Sequence, residues 1–237
     1  MNWGREFCRS FASFFFPPLC LHCEELLELG HKIFCATCSQ QLEFVDLLGR
    51  CTNCFAPSSS KRGLCSACLA IDLSFDGLAA ALPYIGPAAS LVKKLKYEGQ
   101  PYLAEAAGAL LVVQWNKTNW PIPDLIVPAP ITFLHRIFRG YNQSYLLAKV
   151  VGKLLDRPVK ELLVRKESGW RQAGQSRRQR RELKKEGFLL KSPEAVRDKT
   201  ILLIDDVLTT STTMRCAASA LATGYPKATY GLCLCSS

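Results

Sequence analysis

The sequence predicts an α/β fold, a parallel sheet flanked by helices, with a small Cys-rich domain at its N-terminal side. From Leu78 onwards, short apolar runs bounded by Gly, Pro or Asp alternate with longer amphipathic or Ala/Leu-rich runs. Strands that alternate with helices indicate a parallel sheet with helices on its faces. Residues 17–68 lack this periodicity and hold eight cysteines in four Cys-x-x-Cys pairs. We therefore expect a first domain over residues 14–70 and a second over residues 75–237.

The elements of the second domain follow from their local patterns. Leu78–Tyr84 is an apolar run between two glycines, and Leu125–Ala129 ends at two prolines. Thr213–Thr223 has helical spacing and is stopped by Gly and Pro. In chain order, we expect strand Leu78–Tyr84, helix Pro87–Lys96, helix Tyr102–Trp115, strand Leu125–Ala129, helix Asn142–Leu155, strand Thr200–Ile204, helix Thr213–Thr223 and strand Thr229–Cys235.

Length and composition describe an ordinary globular protein. The 237 residues, 49% hydrophobic and 21% charged, suffice for one α/β core and a small accessory domain. No apolar run approaches the roughly 18 residues of a membrane span, so we expect no span. Phe11–Phe16 follows two arginines like a signal peptide, but the run is short and no small-residue cleavage site follows. A cytoplasmic location is therefore expected.

The net charge of +10 indicates a polyanionic partner. Nucleic acid and a phosphate-rich small molecule both meet this description, and charge alone does not choose between them.

The four Cys-x-x-Cys pairs have the spacing of metal ligands. Eleven residues separate the first two pairs and ten separate the last two. A tetrahedral zinc ion takes four thiolates, which two such pairs supply, and sites made only of cysteine are structural. Disulfides or redox-active dithiols are the alternatives, but the latter need a βαβ context. We expect one or two structural zinc ions, with either consecutive or interleaved pairing, on Cys20, Cys23, Cys35, Cys38, Cys51, Cys54, Cys65 and Cys68.

A second motif joins the predicted strand Thr200–Ile204 to a helix. Two carboxylates, Asp205 and Asp206, end the strand, where ligands sit in open α/β sheets. Five consecutive hydroxyl residues follow: Thr209, Thr210, Ser211, Thr212 and Thr213. Hydroxyl and N–H groups at a helix N-terminus favour a phosphate, and adjacent carboxylates accept hydrogen bonds from a diol. The motif therefore fits a ribose 5-phosphate, and the alternative is a Thr-rich turn with two solvated aspartates. It is not a P-loop, because the Gly-x-x-x-x-Gly-Lys pattern is missing from this segment.

At these residues the chain resembles the type I phosphoribosyltransferases. With four further segments and the double Cys₄ module, it resembles the ComF family over about residues 14–235. The four segments are Leu95-Lys-Tyr-Glu-Gly99, Val127-Pro-Ala-Pro130, Arg139-Gly-Tyr-Asn-Gln143 and Gln172-Ala-Gly-Gln-Ser-Arg177.

The resemblance implies binding of 5-phosphoribosyl 1-diphosphate. It assigns Asp205 and Asp206 to the ribose hydroxyls and Thr209–Thr213 to the 5-phosphate. Two departures from the family pattern are Ser211, where Gly is usual, and Leu183, where Asn is expected. If position 211 requires a positive φ, a serine there is costly.

Basic segments complete the expected site. Arg136 and Arg139 would meet the diphosphate, because guanidinium groups match phosphate oxygens. Asn142 and Gln143 would open the next helix near that anion. Residues 165–191 carry ten Lys/Arg and three Asp/Glu. This stretch is interpreted as a loop over the diphosphate, a nucleic-acid track on Arg177, Arg180 and Arg181, or a solvated basic face.

Two functions follow as hypotheses. A phosphoribosyltransferase would displace diphosphate from the ribose C1, with Mg²⁺ and basic side chains neutralising the leaving group. The alternative comes from the resemblance to the ComF family, which implies a part in natural transformation. On this hypothesis the chain is a non-catalytic single-stranded-DNA-binding or scaffold module of DNA uptake. It would then work beside a helicase or processing protein.

Overall fold

Six strands and seven helices are present in the part of the chain that a computed structural model describes, residues 18–28, 32–60, 63–70, 74–165 and 187–237. The strands are β1 (Gly77–Pro83), β2 (Leu125–Pro128), β3 (Leu163–Arg165), β4 (Phe188–Leu190), β5 (Thr200–Leu208) and β6 (Ala228–Ser236). The helices are α1 (Ala36–Gln40), α2 (Ser66–Leu69), α3 (Gly86–Tyr97), α4 (Ala104–Trp115), α5 (Phe133–Arg139), α6 (Gln143–Leu155) and α7 (Thr212–Ala222).

A four-stranded parallel sheet in the order β1-β6-β5-β2 carries the core. Ile201–Ile204 of β5 are at most 1% exposed, as expected for a central parallel strand covered on both faces. Helices α4 and α6 pack on each other and on the sheet. β3 and β4 form a separate antiparallel pair. The predicted fold class, a parallel sheet flanked by helices, is confirmed.

All eight elements predicted in the second domain are present, with small shifts at their ends. The main difference is in β5, which continues four residues past Ile204. It does so because β6 stays in register with it as far as the pair Leu208–Ser236. Both aspartates therefore lie inside the strand. Helix α5 and the β3–β4 pair were not predicted.

The Cys-rich region packs on the edge strand β1. The Val45 N–H donates to the Ala81 carbonyl at 2.8 Å. The Gln114 amide of α4 donates to both Val45 O and Ala80 O, at 2.9 and 3.0 Å. The buried Asn53 side chain accepts from the N–H groups of Ser74 and Phe75. The Cys-rich region thus covers an edge that would otherwise expose unpaired backbone groups.

Within the described residues, no helix combines the length and the apolarity that a membrane crossing requires.

Candidate functional site

The eight predicted cysteines form two clusters of four. Within each cluster all ligand atoms lie within 4.8 Å of one another. Cys23 Sγ and Cys35 Sγ are 3.6 Å apart, as are Cys54 Sγ and Cys65 Sγ. Tetrahedral zinc with Zn–S bonds of about 2.3 Å requires sulfurs about 3.8 Å apart, so both clusters fit a metal ion. The first cluster is Cys20, Cys23, Cys35 and Cys38, and the second is Cys51, Cys54, Cys65 and Cys68. Consecutive pairs therefore share a site, and the interleaved alternative is excluded.

The electrostatics of the clusters also favour a cation. Although burial opposes ionisation, backbone N–H groups lower the pKa of Cys20 and of Cys51 to about 6. In the same clusters burial and the neighbouring thiols raise the pKa of Cys38 and raise that of Cys54 to about 12. Without a metal, four adjacent thiols cannot all be ionised; a divalent cation removes this conflict. His22 belongs to neither cluster, and its Nδ1 lies 2.9 Å from Ser90 Oγ.

The two aspartates of β5 have separate partners. Side chains alternate along a strand, so the two carboxylates leave β5 on opposite sides. The Ser144 hydroxyl of α6 donates to Asp205 Oδ1 at 2.7 Å, and the Asp206 N–H donates to the same oxygen at 2.9 Å. Asp206 Oδ1 forms an ion pair with Lys96 Nζ of α3 at 2.9 Å. The second oxygen, Asp206 Oδ2, is buried without a hydrogen-bond partner in the described residues.

Burial and the neighbouring Asp206 carboxylate raise the pKa of Asp205 to about 7. The Ser144 hydroxyl, the Asp206 N–H and Lys96 act in the opposite direction and limit the rise. Burial alone would lower the pKa of Lys96, but the Asp206 carboxylate outweighs it and the net shift is upward. The two carboxylates and the ammonium therefore form one interacting group, in which Asp205 changes charge near neutral pH.

The hydroxyl residues follow β5 and lead into α7. Thr209 and Thr210 are exposed, and Thr212 and Thr213 form the first turn of the helix. Ser211 precedes that turn with φ +53°, and its side chain makes no capping hydrogen bond. A positive φ is the condition under which the serine was expected to be costly. The loop is nonetheless placed as predicted, at a helix N-terminus beside the two carboxylates.

The loop after β2 contains a short helix that the sequence patterns did not predict. The Thr132 hydroxyl caps α5 by accepting from the His135 N–H, and Gly140, with φ +77°, ends the helix. Arg136 is exposed. The Arg139 guanidinium lies 5.1 Å from the centre of the Tyr97 ring, at the end of α3. This geometry is a cation–π contact. It brings the segment between β2 and α6, the arginine loop, to the C-terminal end of α3.

Asn142 and Gln143 begin α6. Asn142 Oδ1 caps the helix by accepting from the Ser144 N–H, and its Nδ2 donates to Ala129 O at 3.1 Å. Gln143 is buried, and its Oε1 has no hydrogen-bond partner in the described residues. Asn142 thus fixes the entry to α6, and this places Ser144 against Asp205.

These contacts bring residues 95–97 and 139–144 together with Asp205 and Asp206 at the carboxyl edge of the sheet. The Tyr141 hydroxyl donates to Leu95 O at 2.6 Å. Both residues that flank Lys96 therefore contact the loop that carries Arg139. Lys96 and Ser144 were not predicted as site residues. Lys96 lies in a segment that carries the family resemblance, whereas no pattern marks Ser144. Arg177, Arg180, Arg181 and Leu183 lie outside the described residues.

Residues 142–235 match the phosphoribosyl transferase domain family. The chain is 28% identical over 206 residues to competence protein F of Haemophilus influenzae, covering 84% of this chain and 89% of that protein. It is 29% identical over 224 residues to the DNA utilization protein YhgH of Escherichia coli strain K12, covering 92% and 97%. With these homologues, the resemblance to the ComF family is confirmed.

Two solved structures also show similarity to the chain. Glutamine phosphoribosylpyrophosphate amidotransferase from B. subtilis is similar over 60% of this chain and 30% of that chain, with 15% identity and a TM-score of 0.43. The L. donovani hypoxanthine-guanine phosphoribosyl transferase is similar over 56% and 71%, with 16% identity and a TM-score of 0.30.

Proposed function

We propose that the chain binds 5-phosphoribosyl 1-diphosphate with Mg²⁺ at the carboxyl edge of its sheet and acts as a phosphoribosyltransferase. The observation that carries the proposal is the proximity of Asp205 and Asp206 to the hydroxyl loop at the start of α7. A phosphate suits the helix N-terminus, and a ribose diol suits the carboxylates.

Each part of the ligand has a complementary group. The 5-phosphate would accept hydrogen bonds from the Thr209–Thr213 segment, and ribose hydroxyls would donate to Asp205 and Asp206. Arg136 and Arg139 would face the diphosphate. The orphaned Asp206 Oδ2 fits either a donor hydroxyl or a hydrated Mg²⁺, and this metal would neutralise charge on the departing diphosphate.

In the transfer step the bond from C1 to the diphosphate oxygen breaks, and an acceptor nucleophile forms the new bond to C1. Positive charge develops on the ribose ring as the diphosphate leaves. The role of the chain is to hold negative carboxylates near the ring and positive side chains near the leaving group, which lowers the barrier electrostatically.

Thermal unfolding gives a first test. A bound ligand raises the midpoint by mass action, so 5-phosphoribosyl 1-diphosphate with Mg²⁺ should stabilise the chain, and Asp205→Asn should reduce this effect. Catalysis is tested separately, by Mg²⁺-dependent release of diphosphate with added acceptors. Absence of stabilisation at saturating ligand would contradict the proposed binding.

We further propose that each Cys₄ cluster holds one structural zinc ion. The sulfur spacing, the backbone N–H groups directed at Cys20 and Cys51, and the all-cysteine donor set support closed sites of this kind.

A second candidate function is a non-catalytic single-stranded-DNA-binding or scaffold module for DNA uptake. The relatives are named competence protein F and DNA utilization protein YhgH, and the net charge of +10 suits a phosphodiester backbone. Binding of a single strand should then fall steeply with salt and be lost when Arg177, Arg180 and Arg181 are neutralised. A helicase or processing protein would be the expected protein partner.

A further inference from the structure

Lys96 is a partly buried cation that lies between two parts of the proposed ligand site. Its side chain is 17% exposed, and that of its partner Asp206 is 5% exposed. A charge with so little access to water needs a partner, because an unpaired buried charge is strongly destabilising. The Asp206 carboxylate provides that partner in the structure.

The neighbours of Lys96 indicate which part of a ligand it would meet. Tyr97 stacks on Arg139, and the carbonyl of Leu95 accepts from Tyr141. Lys96 therefore lies between the arginine loop, where the diphosphate would bind, and the carboxylates, where the ribose would bind. A sugar C1 that joins these two groups would approach its ammonium group.

We propose that Lys96 binds the diphosphate of the ligand and that, before the ligand binds, its ammonium group is paired with Asp206. In the free chain its Nζ pairs with Asp206. In the complex, ribose hydroxyls or hydrated Mg²⁺ occupy Asp206, and the ammonium pairs instead with a diphosphate oxygen. This inference rests on the proposed function and extends it, since it assigns a residue and an exchange of partners that the motifs do not give.

The exchange conserves charge pairing at each step. Asp206 loses one cation and gains hydrogen-bond donors or a metal, while Lys96 loses one carboxylate oxygen and gains a phosphate oxygen. Charge-assisted hydrogen bonds of this kind are the stronger ones. The ion pair also keeps Asp206 oriented before the ligand arrives, which reduces the ordering required on binding.

The test compares inorganic diphosphate binding in three proteins: wild type, Asp206→Asn, and the double variant Lys96→Met with Asp206→Asn. The single variant frees the ammonium from its carboxylate, so diphosphate should bind about tenfold more tightly than to wild type. The double variant removes both charges together, which preserves folding better than leaving one of them buried and unpaired. The tenfold increase in diphosphate affinity should be absent in this double variant.

Three controls separate this role from a purely structural one. Lys94→Met removes a neighbouring lysine whose Nζ is 3.6 Å from Glu98 on the surface of α3, and it should leave diphosphate affinity unchanged. Ribose 5-phosphate lacks the diphosphate, so the single and the double variant should bind it equally. Lys96→Arg in the wild-type background keeps the charge and should retain most of the affinity for 5-phosphoribosyl 1-diphosphate.

Equal diphosphate affinity in the single and the double variant would overturn the inference. An equal loss of ribose 5-phosphate and diphosphate affinity on removing Lys96 would do so as well, because it indicates a role in folding alone. If the wild-type chain binds 5-phosphoribosyl 1-diphosphate and Lys96 makes no difference, the proposed function stands without this residue. If it binds no phosphoribosyl ligand, the proposed function fails and this inference fails with it.

Discussion

Ser211 adopts a backbone conformation that glycine would adopt at lower cost. Its φ of +53° lies in the left-handed region, which costs an L-residue about 1 kcal/mol or more. Ser211→Gly should therefore raise the free energy of unfolding by about 0.5–1 kcal/mol in urea denaturation. Ser219→Gly is the matched control, since Ser219 is exposed inside α7 and the same change there should lower stability by about 0.5 kcal/mol. Destabilisation by both changes would contradict the assigned strain.

Asp205 should make stability depend on pH in a defined window. The pKa of its carboxyl rises from 3.8 to about 7 on folding, so the folded chain keeps a proton that the unfolded chain releases between about pH 4 and 7. The contribution of Asp205 to the free energy of unfolding is full below this window and declines as pH rises through it. The difference in the free energy of unfolding between wild type and Asp205→Asn should follow this slope. A difference that does not change from pH 4 to 7 would contradict the shift.

At the level of elements, α6 depends on a glycine near its C-terminal end. A Cβ at Gly152 would lie 2.5 Å from Val159 Cγ2 and 2.8 Å from the Arg157 carbonyl oxygen. Gly152→Ala should therefore destabilise the chain by about 1–2 kcal/mol, although alanine has the higher helix propensity. Chemical denaturation measures the change. An increase in the free energy of unfolding would contradict this prediction, because it would mean that the segment after α6 moves away from the added methyl group without loss of stability.

The four strands of the parallel sheet and the long helices could be predicted because each has its own local pattern. In β5 four apolar residues precede two acids, and Gly224 and Pro226 follow the end of α7. Helix α5 was not predicted, although Phe133, Leu134, Ile137 and Phe138 have the spacing of one helix face. The helix has only seven residues, and all four apolar side chains are about 60% exposed or more, so this face is not part of the core. β3 and β4 have three residues each, too few for a period to be read.

The candidate site could be predicted only where its residues are contiguous. The twin aspartates and the hydroxyl loop form one motif, whereas the pairs Lys96–Asp206 and Ser144–Asp205 join positions far apart in the chain. Such pairings depend on how α3 and α6 cross the sheet edge, which no local pattern specifies. The cysteine spacing predicted the eight candidate ligands, but their pairing into two clusters required the fold.

For the molecule as a whole, the two Cys₄ clusters and the α/β core should unfold together. Val45 and Asn53 hydrogen-bond to β1 and to the segment just before it, so loss of metal should remove the cover of an edge strand. We expect two zinc ions per chain, one in Cys23→Ala and one in Cys54→Ala, and a lower thermal midpoint after chelation. A metal content below two per chain would contradict the two proposed sites, and a midpoint that chelation leaves unchanged would contradict the coupling.

The most direct measurement is calorimetric titration of the zinc-replete chain with 5-phosphoribosyl 1-diphosphate and Mg²⁺. We expect saturable binding near one ligand per chain, weakened about tenfold or more in Asp205→Asn, since a carboxylate that accepts ribose hydroxyls contributes a charged hydrogen bond. Heats no larger than dilution in the wild type, or equal affinity in both proteins, would contradict the assignment of this sheet edge to a phosphoribosyl ligand.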